Sequence, residues 1–444
     1  MDTESILAYH RAHAWQPFTQ MKLTPDPVVI DSARGVYLKT SDGDEIIDAV
    51  GSWWVNIHGH NHEYVNAAIE KQLRQLEHVM YAGFTHEPAA RLSKRLSDTT
   101  GGELPRVFFS DNGSTAVEIG LKMAFQFYVN QGRPEKKNFV TLTGGYHGDP
   151  IGTMSVGARS VFHEMYEPLL FSVFHAPAPS CPFEALYDEA RAQEAVRPAI
   201  SALEKILEEH GKTICGLILE PLIQGAGGMN IYPGAYLRAV RALCDAHDVM
   251  LVADEVFTGC GRTGAFYACE RAGIWPDIMA LSKGLSAGYL AFAATLASER
   301  VFQGFYSDDR RHTLFHGHSM TANPLGCAAA HASLDLFERE NLLGKVLELE
   351  ESHGNHLRAM ETGALGKHIR ETRCMGSVGA VEFDLDIDYT GDFGWRVWST
   401  CIAEGVLLRP IGNVVYLTPP YVIQADELEK CYGVLEKTVL EIMS

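Results

Sequence analysis

The chain has 444 residues, 46% of them hydrophobic, enough to bury a large core and to support two domains. Its 37 basic against 56 acidic side chains give a formal charge of −19, and no run of Lys and Arg could neutralise a phosphate backbone or an anionic bilayer. Nucleic acid and membrane are therefore excluded as partners, and nine scattered cysteines without a Cys-x-x-Cys pair fit reduced thiols better than a disulfide framework.

The opening MDTESILAYHRAHAW is polar and acidic, with no basic segment leading into an apolar core, so no secretory signal is read there. The longest apolar stretch, around Tyr289 to Ala297, is too short to cross a bilayer, and a cytoplasmic protein is expected. GVYLKTSDGDEIIDAV predicts a hairpin with its turn at Ser41 to Gly43. HGHNH follows, with His58, His60 and His62. Together with His312, His316 and His318 these could share a face and bind a metal. No carboxylate or cysteine cluster stands at ligand spacing beside them, so no metal is expected.

From Arg106 onward strand-like and helix-like patterns alternate. Arg106 to Ser110 reads as a strand and Thr115 to Tyr128 as a helix, with Phe139 to Thr143 as the next strand. Ala199 to Glu209 reads as a helix before the strand Ile214 to Leu219, and Ala235 to Ala246 as a helix before Met250 to Ala253. Asp277 to Leu281 is another strand, and a long helix of small residues begins near Ala328. The alternation predicts an α/β fold with a mostly parallel central sheet covered on both faces. Residues 61–327 are assigned to this large domain, and residues 1–60 with 328–444 to a smaller α+β domain built from both chain ends.

In such a sheet functional groups collect at the carboxyl ends of strands. VMLVADEVFTGCGRTG ends its apolar run in Asp254 and Glu255, then spells G-x-G-x-x-G from Gly259 to Gly264. A dinucleotide loop needs the strand to run into the first glycine and a helix to open at the third, and neither condition is met here. PDIMALSKGLSAGY ends a second strand at Lys283, so a carboxylate and an amine would face one crevice. In RVFFSDNGSTAVEIGLKMAF the turn Asp111 to Ser114 leads into a helix with Thr115 and Glu118 as a capping box. Backbone N–H groups there, with the Ser114 hydroxyl, would hold a phosphate, although a plain capped helix explains the segment equally well.

Pyridoxal 5'-phosphate needs all three: an amine for its aldehyde, a phosphate cup, and a carboxylate against its ring nitrogen. Lys283 would then also be the base that moves the substrate proton. Tyr146 in TGGYHGD could stack on the ring, or be an ordinary buried aromatic. Glu220, ending another strand, could hold neighbouring groups or pair with an arginine. Arg409 in GVLLRPIG could take a substrate carboxylate or serve a structural salt bridge.

EPLIQGAGG, DEVFTGCGRTG and SKGLSAG resemble the class III pyridoxal-phosphate aminotransferases. WQPFTQM, GSWWVNIHGH, FTHEPA, GGYHGDP, FHGHS and LTPPY are similar to the 7,8-diaminopelargonate aminotransferases of biotin synthesis, over nearly the whole chain. The resemblance implies an aspartate-aminotransferase type fold and a homodimer with active sites shared between subunits. It implies Lys283 and Asp254 on the cofactor, Gly113 and Ser114 on its phosphate, and His318 and Ser319 reaching that phosphate from the partner, with Gly317 in the substrate channel. Trp53, Trp54 and Tyr146 would line the pocket, and Arg409 would receive the carboxylate of 8-amino-7-oxononanoate. Two features depart from members that take their amino group from S-adenosylmethionine. Those members commonly have Tyr where Phe18 stands and Pro-Thr where His318 and Ser319 stand. PFTQM with HGHS also occurs in relatives using lysine, but the paired Trp53 and Trp54 favour S-adenosylmethionine.

Overall fold

The computed structural model describes residues 1–443. Its centre is a seven-stranded sheet: β1 Arg106–Ser110, β2 Asn138–Leu142, β3 Phe174–Ala176, β4 Ile214–Leu219, β5 Met250–Asp254, β6 Ile278–Leu281 and β7 Ala293–Ala297. The order across the sheet is β3-β2-β4-β5-β6-β7-β1. β7 alone runs antiparallel to its neighbours, Ala294 lying opposite both Leu281 and Phe109. The other strands point the same way, which brings the carboxyl ends of β1, β4, β5 and β6 to one edge. All positions of β4, β5 and β6 are buried, as a sheet covered on both faces requires.

One covering element is the helix Gly113–Asn130, drawn close to the sheet by Gly120. A side chain there would meet Ile278 Cγ2 at 3.1 Å and Val252 Cγ1 at 3.4 Å. Its N-terminus differs from the expected capping box. Asn112 is the N-cap, its side chain accepting the Thr115 N–H at 3.0 Å, while Thr115 Oγ1 accepts the Asn112 N–H at 3.2 Å. Asn outcompetes Thr as a cap because its carbonyl reaches N3 while its own backbone stays extended. Gly113 and Ser114 therefore become the first helical residues, and Glu118 lies inside the helix.

The predicted hairpin is present, with Tyr37–Thr40 antiparallel to Glu45–Asp48, and an unpredicted strand, Ile30–Arg34, flanks it. Val406–Leu407 adds to the other side in parallel, Val406 facing Ile47, so early and late parts of the chain share one sheet. They also share an apolar core containing Val36, Ile47, Leu357, Val381 and Leu435. The helix expected near Ala328 begins at Pro324, where Asn323 accepts the Leu325 and Gly326 N–H groups and proline fits the first turn. The helix before β4 starts at Glu189, capped by Asp188, and carries Pro198 within it. Among the described residues no helix is long and apolar enough to cross a membrane. All nine cysteines are free and buried.

Candidate active site

A cavity of about 560 Å³ opens where the strands end, and Asp254, Glu220, Lys283, Tyr146, Gly113 and Ser114 all line it. Asp254 is the last residue of β5 and is 4% exposed. Its Oδ2 accepts a hydrogen bond from His147 Nδ1 at 2.7 Å, and its Oδ1 accepts the Val256 N–H at 3.1 Å. His147 Nε2 is buried without a partner among the described residues, so Asp254 is the only protein group the imidazole bonds.

Glu220 follows β4 and pairs with no arginine among the described residues. It accepts the Gly225 N–H at 3.0 Å and the Tyr146 N–H at 3.1 Å, tying two strand-end loops together. Burial pushes its carboxyl up to about 7; His147 opposes the shift and Asp254 adds to it. Lys283 follows β6 with a left-handed backbone, φ +46°. Its Nζ lies 4.4 Å from the centre of the Trp54 ring and 5.5 Å from that of Phe257. Burial against these rings pulls the ammonium down to about 8, while Asp254 resists the shift.

Glu255, beside Asp254 in sequence, does different work. Its oxygens accept from Thr258 Oγ1 and from the Ala268 and Cys269 N–H groups, bracing the segment that contains the glycines. That segment is a run of turns, with no helix opening at Gly264, which removes the dinucleotide reading.

Gly113 and Ser114 stand at the mouth of the helix, whose first N–H groups have no intrahelical partner. A Cβ at Gly113 would lie 2.5 Å from Val256 Cγ1, so the backbone approaches the Asp254 loop as only glycine allows. The outer cavity is aromatic: Phe18, Trp53, Phe162 and Tyr389. Trp54 lies deeper, its Nε1 donating to the Tyr416 hydroxyl at 3.1 Å. Arg409 lines the same space, half-buried, with no carboxylate partner among the described residues; its hydrogen bond goes to the Tyr389 hydroxyl at 3.5 Å.

Gly317, His318 and Ser319 do not line this cavity. They follow an extended segment in which His318 Nε2 meets His316 Nε2 at 3.0 Å, and His316 Nδ1 meets Lys122 Nζ at 3.0 Å. Three of the other histidines considered for metal binding are separately engaged. His58 bonds Ser333 at 2.8 Å, His60 bonds Asp48 at 2.9 Å and His62 bonds Glu340 at 3.0 Å. Among the described residues no group of three or more His, Cys, Asp or Glu is placed to hold a metal ion.

Sequence reasoning missed His147, although it stands beside Tyr146 in a quoted motif. A histidine in a strand-end loop of a parallel sheet was the available signal. Phe162 and Tyr389 lie in irregular segments and gave none.

The class-III aminotransferase family model matches residues 19–439. The chain belongs to the class III aminotransferases. It is 43% identical to the adenosylmethionine-8-amino-7-oxononanoate aminotransferase of Geobacter sulfurreducens, covering 99% of this chain and 98% of that one. A protein of the same name from Synechococcus elongatus is 44% identical over 97% of this chain and 99% of its own. Among solved structures, the enzyme of that name from Methanocaldococcus jannaschii superposes with a TM-score of 0.91 at 33% identity, covering 99% of both chains. An amine transaminase from an uncultivated Pseudomonas species, in its PLP-bound form, gives 0.87 at 32% identity, covering 96% of this aminotransferase and 98% of that chain.

Proposed function

We propose that this aminotransferase converts 8-amino-7-oxononanoate to 7,8-diaminononanoate in biotin synthesis, with pyridoxal 5'-phosphate as cofactor and S-adenosylmethionine as amino donor. The observation that carries the reading is Arg409, a cation without a carboxylate partner among the described residues, in an aromatic-walled cavity that also contains Lys283. A long aliphatic keto acid matches that shape and charge.

The cofactor's chemical needs fit the residues present. When bound, pyridoxal phosphate supplies an aldehyde for an amine and a ring that takes up the electrons of a broken C–H bond. Asp254, desolvated and oriented by His147, holds a proton on the ring nitrogen. The Gly113 and Ser114 N–H groups, with the Ser114 hydroxyl, receive the phosphate at a helix N-terminus. Lys283, with its ammonium near 8, holds roughly a tenth of its amine neutral at pH 7 and moves the proton at its own Nζ. Tyr146, anchored through its backbone to Glu220, forms a wall.

His318 and Ser319 complete the phosphate site from a second copy of the chain, giving a cytoplasmic homodimer with shared active sites. Phe315, 78% exposed, and Met320, 48% exposed, flank them and supply apolar surface for that contact. Purified enzyme is given 8-amino-7-oxononanoate with S-adenosylmethionine or with lysine, and 7,8-diaminononanoate is measured. In parallel, single-turnover absorbance follows conversion of the cofactor to its amine form by each donor alone. Product with S-adenosylmethionine is expected; product with lysine only reassigns the donor, and absence of product with either removes the substrate assignment.

A further inference from the structure

Five side chains from separate stretches of the chain close a collar around the cavity mouth. Ring centres are 5.6 Å apart from Trp53 to Phe18, 5.7 Å from Phe18 to Phe162 and 4.8 Å from Phe162 to Tyr389. The Tyr389 hydroxyl then meets Arg409 Nη2 at 3.5 Å, and Arg409 Cζ lies 4.9 Å from the Trp53 ring centre, closing the circuit. Phe18 and Phe162 offer only apolar rings. Arg409 and Tyr389 stand side by side, and the tyrosine oxygen accepts from the guanidinium, leaving its own O–H free to donate.

We propose that Tyr389 is a second binding residue for the substrate carboxylate, donating its O–H to an oxygen held by the Arg409 guanidinium. A carboxylate has four lone-pair sites and the arginine fork fills two, so an adjacent hydroxyl adds a charge-assisted hydrogen bond without competing. The position is built rather than incidental. Asp388 Oδ1 accepts both the Thr390 N–H at 2.8 Å and the Thr390 hydroxyl at 2.6 Å, fixing the turn that carries Tyr389. Ile387 and Asp388 lie beside Gly412, where an added Cβ would be 3.7 Å from each backbone, so this turn and the Arg409 segment are neighbours. Phe162 fixes the ring from the other side. The carboxylate is thus selected by two residues, and the apolar rings opposite them face the alkyl chain.

The inference rests on Arg409 being the carboxylate receptor, and the test separates the two. Wild-type and Tyr389→Phe holoenzymes are compared on 8-amino-7-oxononanoate and on its methyl ester, and the affinity for nonanoate, a non-reacting carboxylate, is measured by calorimetry. The variant should keep the wild-type cofactor spectrum, unfolding midpoint and kcat. Its KM for the acid and its Kd for nonanoate should rise roughly 10-fold to 100-fold, with less than about 3-fold change for the ester. Equal acid-to-ester preference in the two proteins overturns the role of Tyr389 alone. A wild-type enzyme with no preference for acid over ester overturns Arg409 as well. A variant that loses kcat and unfolding midpoint together, with its preference intact, marks Tyr389 as structural and overturns the proposal.

Discussion

His147→Ala removes one of the two hydrogen bonds made to the Asp254 carboxylate. The bond lost is the one from Nδ1 at 2.7 Å; the Val256 N–H at 3.1 Å remains. Both side chains are nearly sealed from solvent, at 0% and 6% exposure, so water does not simply replace the imidazole. Hydrogen bonds to charged groups contribute about 1.5–3 kcal/mol, and a midpoint near 2 kcal/mol corresponds to roughly 30-fold in a binding constant. Because Nε2 bonds no protein group among the described residues, the effect passes through Asp254 and, on the proposed function, through the ring nitrogen that Asp254 would serve. Titrating apoenzyme with pyridoxal phosphate, followed by absorbance, should show cofactor affinity about 30-fold weaker and kcat reduced. His147→Asn, whose amide can donate toward the same oxygen, should recover part of the loss. Cofactor affinity and kcat within 2-fold of wild type in the alanine variant would refute the reasoning.

Three further outcomes follow from the same site. Cofactor reloading of apoenzyme should accelerate with rising pH and reach half its maximum at about 8, since only the neutral Lys283 amine attacks the aldehyde; a rate flat between pH 6 and 9 counts against this. Glu220→Gln sets an NH2 donor against one of the two converging N–H groups, where the hydroxyl oxygen of the protonated carboxyl can still accept, so denaturant unfolding at pH 5 should show a loss of about 1–3 kcal/mol. The folded carboxyl titrates at about 7 against 4.5 ordinarily, so the apoprotein should lose about 3 kcal/mol of stability as pH rises from 4.5 to 7, and the glutamine variant should not share that loss. Gly113→Ala drives a methyl toward Val256 Cγ1 at 2.5 Å and should weaken cofactor binding at least about 10-fold, measured by equilibrium dialysis.

The strands that matter were legible because burial on both faces writes itself as unbroken apolar runs such as VMLVAD, and the ionisable groups that line the cavity stand where those runs stop. Asp254, Glu220 and Lys283 were therefore readable, as was the turn before the helix at residue 113. The cap was misplaced because Asn112 and Thr115 both suit it, and only the backbone geometry decides between them. β3 has three residues and lies at the sheet edge, too short for a periodic signal. The pairing of Val406 with Ile47 joins positions far apart in the chain, which no local pattern encodes. Tyr389 and Phe162 stayed hidden for the same reason, since their roles arise from who stands opposite them rather than from what precedes them. The roles of Gly317, His318 and Ser319 came from resemblance alone, and within a single chain they lie off the cavity.

Phe18, Trp53 and Lys283 all hold positive φ, at +50°, +72° and +46°, although none is glycine. Each such residue lies about 1–2 kcal/mol above a relaxed conformation, so the surroundings must impose what the local backbone resists. Glycine at position 283 would relieve that tension and take the amine out of the cavity. The amine is thus displayed to the cavity from a backbone conformation that a freely chosen sequence would fill with glycine, a local cost that the rest of the fold has to carry.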